Sequence, residues 1–83
     1  MKFNKLVESE LKRARKLHGP VYSIHEGAAI LLEEVDEMWD EVKKKTKERD
    51  LENLLTELVQ ISTVAQKMAE DVVIPFIIQK KKL

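Results

Sequence analysis

Residues 23–42 read SIHEGAAILLEEVDEMWDEV, and this stretch decides the fold. Ser23 followed three residues later by Glu26 is a capping box, in which a hydroxyl and a carboxylate satisfy donors that the first turn of a helix leaves free. From there Ile24, Ala28, Leu31, Val35, Met38 and Val42 recur at spacings of four and three, a heptad-like helical seam. Leu32 and Trp39 widen the seam, and Lys43, Lys44, Lys45 and Lys47 gather where cations complement a helix C-terminus. Within residues 31–42 six of twelve residues are acidic and none is basic. So much negative charge beside apolar residues has two readings: a solvated helix back, or a set of cation ligands.

Working outward, the chain predicts an all-α domain over residues 1–83. A short N-terminal helix over about 4–17 carries Phe3, Leu6, Val7, Leu11, Ala14 and Leu17, and Gly19-Pro20 ends it. The central helix spans about 24–46. Asp50 is the expected N-cap of a third helix over about 51–73, with a seam of Leu51, Leu54, Leu58, Ile61, Ala65, Met68 and Val72. Two long helices of about 34 Å each, joined by a short loop, predict an antiparallel hairpin. Pro75 is expected to stop the third helix and leave 74–83 as an apolar and basic tail packed on the hairpin or on a second subunit. A chain this short buries only about 60% of its unfolded surface, so the hairpin is expected to complete a four-helix or larger bundle as a homodimer or homotetramer.

Composition narrows the chemistry. The 83 residues contain no Cys, which removes disulfides, thiolate nucleophiles and zinc-thiolate sites. Lys and Arg balance Asp and Glu at 15 each, so no global field favours a nucleic-acid polymer. No apolar run approaches the roughly 20 residues that span a bilayer, and no signal-peptide core is present; a cytoplasmic protein is expected. There is no Gly-rich phosphate loop and no Ser/His/Asp arrangement.

A helical wheel separates the acids. Glu34, Glu37 and Glu41 share one flank of the central seam with Ile30, whereas Glu33, Asp36 and Asp40 lie behind it. On the third helix Asn53, Glu57, Gln60, Val64, Lys67 and Asp71 share a flank, with Glu57 about 60° from the centre of the seam. A carboxylate so near a core stripe is costly unless it is paired or binds a cation. Glu34, Glu37 and Glu57 are therefore expected to converge where the two helices meet, and oxygen-only ligands suit Mg²⁺, Mn²⁺ or Ca²⁺.

The run Glu33-Glu34-Val35-Asp36-Glu37, followed by Glu57-Leu58-Val59-Gln60, resembles the EExxE…ExxD signature of MazG-like, all-α nucleoside triphosphate pyrophosphohydrolases. The resemblance extends over roughly residues 12–73. It implies a Mg²⁺-dependent enzyme that cleaves a nucleoside triphosphate between the α and β phosphates. It also implies that Glu34, Glu37 and Glu57 hold the metal, with Glu33 as an outer or water-orienting group. The fourth position departs from the pattern: Gln60 replaces Asp, keeping a carbonyl ligand but losing its charge, and Asp71, about three turns further on, is an additional ligand candidate. His25 matches the His-Glu element of the family and is a candidate contact to phosphate or base. Lys67 is a candidate phosphate contact, as is the cluster Lys12, Arg13, Arg15 and Lys16. Two readings without turnover stand beside the enzyme: a degenerate relative serving as an oligomerisation or regulatory module, and an adaptor docking through 74–78.

Overall fold

The computed structural model describes residues 1–82, all of whose regular elements are helical. Helix α1 runs Phe3–His18, α2 Ile24–Val42, α3 Leu51–Met68 and α4 Ile74–Lys82. A 3₁₀ turn at Thr46–Glu48 precedes α3, and a π-helical turn at Ala69–Val73 joins α3 to α4.

The ends follow from local chemistry. Gly19, at φ 70°, closes α1 with its N–H on the Arg15 carbonyl. Ser23 Oγ accepts from the Glu26 N–H at 3.0 Å as the capping box predicts, but the Glu26 carboxylate reaches back to the Tyr22 N–H at 3.5 Å instead of that of Ser23. Asp50 caps α3 by accepting from the Asn53 N–H. Helix α2 stops at Val42, four residues short of the expected end. There the Arg49 guanidinium donates to the carbonyls of Val42 and Lys44 at 2.7 and 3.1 Å, satisfying terminal acceptors that further helix would have used.

The third helix departs most from expectation. Pro75 does not stop it. The wider turn at Ala69–Val73 shifts the hydrogen-bond register, as in the Ile74 N–H to Ala69 carbonyl bond. Pro75 then falls in the first turn of α4, where a missing N–H removes nothing the helix needs. The segment 74–82 is thus a helix that continues beyond the π turn, and it does not fold back along α1 or α2.

Helix α3 is the central rod, and both α1 and α2 pack on it. Helices α2 and α3 are antiparallel, with Gly27 against Met68 at one end and Glu41 against Asn53 at the other. A Cβ at Gly27 would lie 2.8 Å from Met68 Cγ, so this position sets how closely the two helices approach.

The buried apolar residues are Val7, Ala14, Val21, Val59, Val64 and Val72. This core is rotated from the predicted seam. On α3 the buried face holds Val59, Thr63, Val64 and Lys67, whereas Leu51 of the seam is 69% exposed. A heptad seam serves one neighbour; α3 has two, and its buried arc faces both. Leu32, Trp39, Leu58, Phe76, Ile77 and Ile78 remain exposed.

Candidate metal centre

Glu34 and Glu37 stand one turn apart on α2 and meet Glu57 from α3, each offering a carboxylate oxygen within 4.8 Å of the others. The antiparallel packing just described positions them. Glu34 and Glu57 are half-buried and Glu37 is exposed, so the cluster opens to solvent on one side. Glu57 Oε2 is fully enclosed and has no hydrogen-bond partner. Burial, followed by the neighbouring Glu37 and Glu34 carboxylates, pushes the Glu57 carboxyl up to about 7. Glu34 is also raised, by burial first and by the charge of Glu37 second. Three acids held in this way require either shared protons or a cation.

This sets the pH response of the metal-free protein. The folded-state value of Glu57 lies above its ordinary 4.5. The folded chain therefore keeps a proton that the unfolded chain releases, and stability falls as pH rises from about 4.5 to about 7. Thermal melts in a chelator across that range are expected to show the decline, and Glu57→Gln is expected to flatten it. An unchanged slope in the variant would mean that other groups control the response.

The remaining sequence candidates fall in different places. Glu33 is exposed and lies outside the three-carboxylate group. Gln60, one turn beyond Glu57, lines a cavity of about 210 Å³ together with Glu34, Lys67, Glu10, His18 and Ile30. Lys67 is buried, and among the described residues no carboxylate lies within salt-bridge distance of it. Asp71 does not join the cluster: it accepts from Arg15 Nη1 and from the Val21 N–H, both at 2.8 Å. Burial raises its carboxyl, but the Val21 N–H and the Arg15 guanidinium outweigh that and hold it below the usual range. Arg15, which also pairs with Glu70, is thereby committed to fastening α1 to the π turn. His25 is exposed in the first turn of α2, about 14 Å along the axis from Glu34 by helical rise. Lys12 and Lys16 are exposed.

Glu41 is the residue whose role the wheel missed. It shares the flank of Glu34 and Glu37, yet it is only 2% exposed. Its carboxylate accepts from the Asp50 N–H at 3.0 Å, Asn53 Nδ2 at 2.8 Å and Lys44 Nζ at 3.1 Å. The Asp50 N–H and the Asn53 amide, with Lys44, hold its carboxyl down at about 2. It clasps the α2–α3 loop. The sequence signal was an acid on the inner flank facing an Asn in the first turn of the next helix.

Comparison with known proteins places no relative beside this chain: no family model matches it, no curated protein does, and no solved structure does.

Proposed function

We propose that this protein is a Mg²⁺-dependent nucleoside triphosphate pyrophosphohydrolase, converting a nucleoside or deoxynucleoside triphosphate and water to the monophosphate and pyrophosphate. The observation that carries the reading is the convergence of Glu34, Glu37 and Glu57, with one buried oxygen of Glu57 lacking any partner. The donor set fits a hard divalent cation: all ligands are oxygens and one face of the cluster is open to water and phosphate. When bound there, Mg²⁺, or Mn²⁺ in its place, supplies charge neutralisation for the triphosphate and a more acidic water.

The chain's own residues divide the remaining work. Glu34, Glu37 and Glu57 hold the cation. Glu33, at the solvent edge beside Glu34, orients the attacking water and receives its proton. Lys67, buried without a carboxylate partner in the cavity that Glu34 borders, binds a phosphate oxygen. Arg13 lines the same cavity. His25, exposed and remote along α2, takes no part. The resemblance of Glu33–Glu37 and Glu57–Gln60 to the MazG-like signature supports the same reaction, in a role of clearing unwanted nucleotides from the cytoplasm.

The surface supports assembly. The chain exposes 6448 Å², against about 5,100 Å² for a compact monomer of its 9.7 kDa mass. The excess exceeds the roughly 800 Å² that each partner gives to a standard interface. Exposed Leu32 and Trp39 on α2 and Phe76 to Ile78 on α4 are the surfaces a homodimer or homotetramer would cover. The same surface, with Gln60 in place of a charged ligand, favours the second reading, a helical oligomerisation module without turnover.

Incubation with a panel of nucleoside and deoxynucleoside triphosphates and Mg²⁺, with detection of pyrophosphate, separates the two. Release of pyrophosphate from at least one nucleotide is expected. No release from any of them, with assembly intact, would favour the module.

A further inference from the structure

Gln60 stands at the junction of two cavities on the α1 side of α3. The first, of about 210 Å³, runs from Glu34 and Lys67 to Gln60. The second, of about 290 Å³, continues from Gln60 along Leu6, Leu55 and Val59. Both share Glu10 and Arg13 of α1 as a wall. Arg13 Nε donates to both oxygens of Glu10 at 2.9 and 3.0 Å. The trough thus runs from Glu34 and Lys67 at one end to Leu6, Leu55 and Val59 at the other. Its two parts together reach the size range of small-molecule sites, about 300–1,000 Å³, and have the expected lining of apolar walls with a few placed polar groups.

A side-chain amide suits this junction better than it suits a cation. Toward a metal, Gln60 would contribute one neutral oxygen. Toward a heterocycle it offers both a donor and an acceptor, the complement that reads a base edge. After Arg13, Gln60 helps to hold the Glu10 carboxyl below its usual range, and the two residues line both cavities together.

We infer that Gln60 is a specificity-determining residue that contacts the nucleoside of the substrate, with the phosphates toward Glu34 and Lys67 and the base toward Leu6, Leu55 and Val59. This rests on the pyrophosphohydrolase reading and extends it: the departure from Asp at this position exchanges a metal ligand for a base contact.

The test uses α,β-methylene analogues of ATP, GTP, CTP and UTP, which block the bond to be cleaved, with inorganic tripolyphosphate as a probe without a nucleoside. Affinities are measured in Mg²⁺ for the whole protein and for Gln60→Ala, with Gln60→Met as a variant that keeps the side-chain volume. In both variants the Mg²⁺-dependent rise in melting temperature and the affinity for tripolyphosphate are expected to be unchanged. Affinity for the preferred analogue is expected to fall about tenfold, the effect of losing a base hydrogen bond, and the differences among the four bases are expected to narrow. A loss of the Mg²⁺ response would make Gln60 a metal ligand and overturn the inference. Unchanged analogue affinities in both variants would overturn it as well. A wild-type protein that binds no analogue would overturn the functional reading along with it, and that result is distinct from unchanged variants of a binding protein.

Discussion

Glu37→Gln is expected to lower pyrophosphate release by at least about 100-fold, more than the loss of a supporting group around a metal typically causes, while leaving helicity and melting behaviour close to wild type. Glu37 is exposed and makes no hydrogen bond that holds the fold, so the amide removes charge without removing packing. Its carboxylate is nevertheless one of three that meet within 4.8 Å. Asp36→Asn and Asp40→Asn supply the control. They lie on the same helix and also lose one negative charge, but they are exposed and outside the cluster. Turnover in these two is expected to stay near wild type. Equal losses in all of them would show that the general acidity of α2, and not a defined ligand set, supports the reaction.

Glu41→Ala is expected to have the largest effect on stability, a fall of roughly 10 °C in melting temperature. The substitution strands the Asp50 N–H and Asn53 Nδ2 and removes the bonds that turn the chain from α2 into α3. Glu41→Gln keeps an acceptor and is expected to fall between the two. The pH dependence has the opposite sign to that of Glu57. The folded value of Glu41, about 2, lies below its ordinary 4.5, so its contribution is complete above pH 4.5 and is lost as pH falls toward 2. A melting temperature for Glu41→Ala within about a degree of wild type at pH 7 would mean that the loop closes without it.

Helix starts were legible because capping is local. Ser23 with Glu26, and Asp50 with Asn53, need only three residues to declare themselves. The three-carboxylate cluster was legible because a hairpin brings the inner flanks of its two helices together whatever its fine rotation. The rotation itself was not legible. A seam of Leu51, Leu54 and Leu58 describes how α3 would meet one partner, and the docking of α1 on its other side turned Val59, Thr63 and Val64 inward instead. In sequence Pro75 reads as a stop, whereas one π turn is enough to move it into a first helical turn. Periodicity makes Asp71 an additional ligand candidate, but Arg15 and the Val21 N–H hold it away from the cluster. The place of Asp71 is set by contacts distant in sequence, which no local period encodes.

Calorimetric titration of Mg²⁺ into the protein at pH 8, paired with thermal melts at matched ionic strength, tests the central claim that Glu34, Glu37 and Glu57 form a divalent-cation site. Saturable binding that raises the melting temperature, and that is lost in both Glu34→Gln and Glu57→Gln, is the predicted result. A protein that Mg²⁺ stabilises no more than the same ionic strength of NaCl, or whose Mg²⁺ binding survives both substitutions, would contradict it.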